Sequence, residues 1–239
     1  MLGPSALRVL HHLGLYDTVV ADSYVYEGME LLTSTNSVLG TLFLGSKRVQ
    51  GFPSVRIQRT RLREVLLSAI EQTGARVVYE KALKGLREVD DTVELDFGDG
   101  VTITSGLVVG ADGLRSTVRK TIAPDAQPHY SGFTVIYGLA VKERIDDIND
   151  EAKTFPIPSM ILGPEGSFGI IPVDPAGNRL GFLTGLQLPD RPIEEWKAFR
   201  KDKDGLRALL AESFCKGNWP RTVRNLCEEA LEDEISSWP

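Results

Sequence analysis

The sequence predicts a mixed α/β (α+β) fold: a partial Rossmann-like domain interleaved with a second, mostly antiparallel β-sheet domain. Three observations predict it. The apolar run Leu107-Val108-Val109 stops at Gly110-Ala111-Asp112-Gly113, and Ser116 then opens a short helical stretch carrying Arg119. That pattern reads as a buried strand delivering a carboxylate to a turn at the carboxyl end of a sheet, where open α/β sheets bind their ligands. Leu62, Val65, Leu66, Ala69 and Ile70 recur at helical spacing and make one apolar face. From Phe133 onward, short apolar runs alternate with turn signals, the pattern of antiparallel strands.

Taken in order, Pro4 to Leu13 forms an amphipathic helix through Leu7, Leu10 and Leu13, with Pro4 in its first turn and Gly14 at its end. Tyr24 to Phe52, with Leu31-Leu32 and Val38 to Leu44, is strand-rich and is expected to join the second sheet. Thr60 is the expected N-cap of the next helix and Gly74 its stop. Gly74 to Tyr79 reads as a strand leaving that helix. Val93 to Phe97 and Val101 to Thr104 alternate around Gly98-Asp99-Gly100, a hairpin signal. Gly110 and Gly113 allow unusual dihedrals and close approach of a ligand, and Ser116 can cap the turn that follows. Phe133 to Val141 is an apolar strand, Pro156 to Leu162 is extended, and Ser167 to Val173 turns through Asp174–Asn178 into Arg179 to Leu186. Beyond Pro192 the pattern is helical, through Trp196 and Phe199, then Leu206, Leu209 and Leu210, then Val223, Leu226 and Leu231. The expected division is 1–23 with 57–127 for the Rossmann-like part, 24–56 with 128–190 for the second sheet, and 191–239 for a helical segment.

Composition sets outer bounds. The chain has 239 residues, enough for a sizeable core, and is 42% hydrophobic and 25% charged. A net charge of -6 with no basic patch argues against a nucleic-acid partner. No apolar run approaches the roughly 18 residues of a membrane span. Two cysteines, Cys215 and Cys227, without a CxxC, point to a reducing, cytoplasmic setting and to packing roles, although a targeting signal could lie upstream of Met1. His11 and His12 are adjacent and cannot share a helix face, and His129 sits in a loop, so no metal site is expected. Glu228-Glu229 with Glu232-Asp233-Glu234 reads as a solvated helix face.

The string Gly110-Ala111-Asp112-Gly113-x-x-Ser116-x-Val118-Arg119 resembles the Gly-Ala-Asp-Gly-x-x-Ser-x-Val-Arg motif of FAD-dependent aromatic-ring hydroxylases and related epoxidases. These are the salicylate hydroxylase-like monooxygenases with the p-hydroxybenzoate hydroxylase fold. Arg59-Thr60-Arg61-Leu62 resembles that family's Arg-x-x-Leu helix start, whose arginine contacts the FAD diphosphate. The resemblance runs from about Pro4 to the last residues. It implies FAD as cofactor, NAD(P)H as reductant, and transfer of one oxygen atom from O₂ to a small molecule as a hydroxyl or epoxide. It also implies that Asp112, Gly110 and Gly113 lie beside the flavin and that Arg59 holds the diphosphate. A guanidinium at a helix start suits that task, because it pairs bidentately where the helix dipole is positive. Arg61 and Arg63 are expected to be an ordinary solvated face. No catalytic side chain is singled out, as befits chemistry carried by a cofactor.

The chain also departs from the family. It has no Gly-x-Gly-x-x-Gly turn and no Gly-Asp-Ala-Ala-His segment, so it is expected to be an internal piece, truncated at both ends. Such a piece is expected to bind FAD weakly or not at all when made alone, because the family's first strand lies mid-sheet and its turn grips the diphosphate. Ile136-Tyr137-Gly138 stands where many members have Tyr-Arg-Gly, which puts Tyr137 at the position of a substrate-positioning arginine. Ile171-Pro172 likewise replaces Tyr-Pro. The resemblance implies an apolar or aromatic small-molecule substrate, and both changes remove polar handles, so an apolar one such as a terpenoid or polyketide of secondary metabolism fits better than a small phenolate. Tyr137 either orients substrate through its hydroxyl or is a buried structural tyrosine. Two further readings stay open: a non-catalytic remnant of such an enzyme, and a flavin- or NAD-dependent reductase. Oligomeric state is not fixed by the sequence.

Overall fold

The computed structural model describes residues 1–145, 155–230 and 235–238. The chain divides into two compact units, Met1–Ile70 with Gly132–Pro239, and Glu71–Ser131. In the first unit, helix α1 (Pro4–His12) has proline in its opening turn and buries Leu7 and Leu10, while Leu13 lies past its end, 61% exposed. Gly14 breaks the chain away at φ 71°. Helix α2 (Tyr16–Ala21) buries Val19. Strands β1 (Tyr24–Tyr26), β2 (Gly28–Thr33) and β3 (Val38–Phe43), the turn α3 (Lys47–Gln50) and strand β4 (Ser54–Arg56) then lead to α4 (Arg59–Gln72). Thr60 does not cap α4. The helix begins one residue earlier, and the Leu62 N–H already donates to the Gln58 carbonyl at 3.0 Å. Gly74 follows its end in the left-handed region, as expected.

In the second unit, β5 (Gly85–Val89), β6 (Thr92–Asp96) and β7 (Thr102–Ser105) form an antiparallel meander, and α5 (Thr117–Ile122) contacts β5. The β6–β7 hairpin lies where the alternation placed it; β5 carried too weak a pattern to be read. Two expected strands are absent. Residues 74–79 are irregular, with Val77, Val78 and Tyr79 exposed. The Leu107-Val108-Val109 run, expected to be a buried strand, is irregular too, with Leu107 and Val109 78% and 80% exposed. The cause is a missing ladder: a strand needs a hydrogen-bonded neighbour, and among the described residues no strand is laddered to either segment.

The chain re-enters the first unit through β8 (Phe133–Val141), β9 (Ser159–Gly163), β10 (Gly166–Pro172) and β11 (Arg179–Gln187). Helices α6 (Ile193–Lys201), α7 (Lys203–Phe214) and α8 (Arg221–Glu228) follow, and then a short strand, β12 (Ser236–Trp238), where helix was expected. Leu231 and the acidic positions 232–234 lie outside the described residues. The large sheet has the order β12-β8-β11-β10-β9-β2-β3, antiparallel throughout except for β2 beside β9. The strands of 28–43 thus share a sheet with those of 133–187, while β1 and β4 form a separate two-stranded ribbon.

Alternation gives the large sheet one covered face. Along β8, Thr134, Ile136, Gly138 and Ala140 are buried, and the residues between them are not. Phe168 on β10 stacks on Phe182 of β11 at 5.2 Å and meets Phe214 of α7 edge-on at 5.2 Å; Phe214 in turn meets Trp219 at 4.8 Å. Gly138 makes room for this cluster, since a Cβ there would stand 2.5 Å from the Phe182 ring. The buried Thr184 hydroxyl donates to the Ile136 carbonyl and accepts from its N–H, so no polar atom of that pair is left unsatisfied. Cys227 is buried in this core with Cys215 packed against it, both free thiols, consistent with packing roles. A second cluster, Leu7, Leu10, Val19, Val55, Ile57 and Val65, joins α1, α2 and α4 to the ribbon. Among the described residues no helix is long and apolar enough to cross a membrane.

Phe214→Ala should cost about 3–5 kcal/mol of stability, since it empties the junction of four aromatic rings. Urea unfolding followed by circular dichroism checks this, and a loss below about 1 kcal/mol would contradict the packing described.

Candidate functional site

The Asp112 turn is held by local hydrogen bonds, with the Arg119 Nε its one buried polar atom that lacks a partner among the described residues. The Asp112 carboxylate accepts from the Ser116 hydroxyl, and from the backbone N–H groups of Thr117 at 2.6 Å and Val118 at 3.4 Å. Ser116 caps α5, as expected, by accepting from the Arg119 N–H at 2.9 Å. Arg119 folds back to donate to the Gly113 and Leu114 carbonyls. Gly113 sits at φ 76°, a conformation that favours glycine. Gly110 is glycine for a different reason: a Cβ there would stand 2.6 Å from the Val118 Cβ, so its bare backbone packs on α5. The Ser116 hydroxyl, followed by the backbone donors, holds the Asp112 carboxyl below the ordinary aspartate range.

The three arginines at the start of α4 separate cleanly. Arg61 is engaged by Asp22 at 2.7 Å and Glu64 at 3.0 Å, and Arg63 also has a partner. Arg59 is exposed and makes no hydrogen bond or ion pair among the described residues. Three positions upstream, Arg56 is half-buried and likewise unpaired, and the charge of Arg59 reaches it. Burial, more than that neighbouring charge, lowers the Arg56 pKa. Beside it on the ribbon, Tyr26 is only 6% exposed, and its hydroxyl has no hydrogen-bond partner. Burial pushes the Tyr26 hydroxyl up to about 12. Neither Tyr26 nor Arg56 was singled out in the sequence; the available signal was a charged residue between buried apolar neighbours in Val55-Arg56-Ile57.

Tyr137 is not a buried structural tyrosine. It stands 36% exposed on the less covered face of the large sheet, opposite the aromatic core. Strand register carries a row across that face: Tyr137 lies opposite Leu183, Leu183 opposite Gly169, Gly169 opposite Met160, and Met160 opposite Leu31. Gly169 lets Met160 and Leu183 close over it, at 3.1 and 3.3 Å from where a Cβ would be. The result is an apolar, partly exposed surface with one phenol hydroxyl. A groove of about 550 Å³ at the β2–β3 edge, lined by residues such as Gly28, Glu30, Phe43 and Pro158, includes none of these candidates. Among the described residues no cluster could hold a metal ion.

The chain belongs to the FAD binding domain family, whose sequence profile matches residues 1–216. The 3-amino-4-hydroxybenzoate 2-monooxygenase of Streptomyces cremeus is 30% identical over 240 residues, covering 99% of this chain and 55% of that protein. The enzyme PtnB3 of the same description from Streptomyces platensis is 30% identical over 213 residues, 87% of this chain and 51% of that one. The aurachin C monooxygenase/isomerase of Stigmatella aurantiaca is 26% identical, covering 82% and 50%. Among solved structures, Klebsiella pneumoniae HpxO complexed with FAD and uric acid superposes with a TM-score of 0.75 at 22% identity, covering 99% of this chain and 57% of that one. A salicylate hydroxylase substrate complex gives 0.75 at 17%, covering 99% and 58%. The chain spans about half the length of the curated relatives it matches. Family, fold and FAD as cofactor are therefore as the motifs implied.

Because its folded pKa is depressed, Asp112 supports the start of α5 above the ordinary aspartate value of 3.8, and that support is lost as pH falls through the lower folded value. An NMR titration of the Thr117 amide should show a midpoint below 3.8; a midpoint at or above it would contradict the hydrogen bonds described.

Proposed function

We propose that this chain is the FAD-binding and substrate-facing part of an FAD-dependent monooxygenase that hydroxylates a small aromatic molecule, with NAD(P)H as reductant and O₂ as co-substrate. The observation that supports it most is the family match over residues 1–216, joined to an Arg59 guanidinium that no carboxylate occupies. Arg59 fits the FAD diphosphate, since it offers a planar fork of donors where the first N–H groups of α4 add positive potential. Asp112 has its carboxylate committed to Ser116 and Thr117, so its role is to fix the loop whose Gly110 and Gly113 backbone approaches the cofactor, not to act as a base. Bound FAD, once reduced, supplies the oxygen activation that these side chains do not.

The Tyr137 row supplies the other requirement, a surface that excludes water and orients an aromatic ring. Leu31, Met160 and Leu183 offer apolar contact, and the Tyr137 hydroxyl offers one polar handle in place of an arginine. The names of the Streptomyces relatives support a small aromatic substrate, and the apolar row leaves room for a more apolar product of secondary metabolism. The exposed runs at 77–79 and 107–109 are apolar enough to pair with strands of a longer protein, as the length of the relatives suggests. Two free thiols fit a cytoplasmic placement.

In the full-length enzyme of which this chain is proposed to be part, incubation with FAD, NADH or NADPH, isotopically labelled O₂ and a panel of small aromatics led by 3-amino-4-hydroxybenzoate tests the reaction. One labelled oxygen atom in a product is expected. Consumption of reductant with no label in any product would replace this reading with a reductase. Arg59→Ala should weaken FAD binding by about tenfold or more, read by quenching of flavin fluorescence.

A further inference from the structure

We propose that Tyr26 and Arg56 form a second oxyanion-binding position beside Arg59, taking a phosphate or carboxylate group of a bound small molecule. The placement follows from register. On the β1–β4 ribbon Tyr24 lies opposite Arg56 and Tyr26 opposite Ser54, so all four share one face. Tyr24 and Tyr26 stack at 6.2 Å. Ser54 does not serve Tyr26, because its hydroxyl donates to the Leu44 carbonyl at 2.8 Å. Tyr26 is thus held in the interior with an unsatisfied hydroxyl, an arrangement that buried polar groups avoid unless something binds them.

Charge points the same way. Arg56 is half-buried with no carboxylate partner among the described residues, and the group whose charge reaches it most strongly after Tyr26 is another cation, Arg59. Two unpaired guanidinia of like sign, one of them partly desolvated, oppose each other until an anion joins them. At neutral pH the Tyr26 hydroxyl keeps its proton and so donates rather than repels. A buried O–H, a planar fork and a second fork nearby make the donor set that recognises a phosphate or carboxylate bidentately. Three molecules of the proposed reaction carry such a group: FAD and NAD(P)H through their diphosphates, and a benzoate-type aromatic through its carboxylate. The proposal rests on the flavoprotein reading only for which of them is present.

The test is calorimetric titration of the full-length protein that contains this chain with inorganic pyrophosphate, with FAD, and with 3-amino-4-hydroxybenzoate in the presence and absence of FAD. Arg56→Gln should weaken pyrophosphate or the benzoate by about tenfold or more, Arg56→Lys should recover part of that loss, and Tyr26→Phe should weaken the same anion by about threefold to tenfold. Loss confined to pyrophosphate and FAD assigns the position to the cofactor; loss confined to the benzoate assigns it to the substrate. Should Arg56→Gln lose its cooperative melt, the Lys and Phe variants, which keep charge and ring, decide. Unchanged affinity for both anions in these variants, with Arg59→Ala still weakening FAD, overturns this inference and leaves the FAD reading standing. Unchanged FAD affinity in Arg59→Ala overturns that reading instead. Failure of the unaltered full-length protein to bind either anion also overturns the inference.

Discussion

The placement of the Tyr137 row depends on the large sheet committing one face to the aromatic core, with the opposite face less completely covered. Strand side chains alternate strictly, so committing Ile136, Phe168 and Phe182 to the aromatic core with Phe214 commits Tyr137, Leu183 and Met160 to the opposite side. A one-residue slip in any strand would exchange the two sets, and the cost of exposing the aromatic cluster prevents it. The glycines enforce the same choice: Gly138 admits the Phe182 ring on one side, and Gly169 lets Met160 and Leu183 meet on the other. The candidate substrate surface is therefore a consequence of core packing.

The polar positions divide into two kinds. The Asp112 turn binds most of its polar groups locally: the carboxylate and the Ser116 hydroxyl are both bonded, and Arg119 donates to the Leu114 carbonyl, although its Nε is left without a partner among the described residues. On the ribbon before α4, Tyr26, Arg56 and Arg59 leave donors without acceptors among the described residues. A carboxylate already surrounded by donors holds its loop in shape, whereas unpaired donors retain their capacity to bind an anion. This contrast separates the shaping residues from the gripping ones.

Local signals in the sequence survived folding and non-local ones did not. The α1 proline and glycine, the Ser116 cap, the β6–β7 hairpin and the β10–β11 hairpin are each settled within a dozen or so neighbours. Leu107-Val108-Val109 has the composition of a buried strand, but strand formation needs a partner that composition cannot report, and the run is exposed. Gly74 to Tyr79 fails for the same reason. Strand β12 is three residues joined to β8 from about a hundred positions away, beyond any local pattern. Separating Arg59 from Arg61 and Arg63 was possible from a motif alone, and the structure supplies its physical counterpart in the acidic partners of Arg61. Tyr26 and Arg56 escaped because each is unremarkable in sequence and becomes informative only when the ribbon sets them on one face without a counter-charge.

Amide hydrogen exchange across this chain within the full-length protein, with and without FAD, tests the central claim most directly. The account predicts that β8, β10 and β11 are protected in both conditions, because their stability comes from the aromatic core, and that FAD slows exchange at the start of α4 around Arg59. Exchange around residues 56–62 that is identical with and without saturating FAD would contradict it.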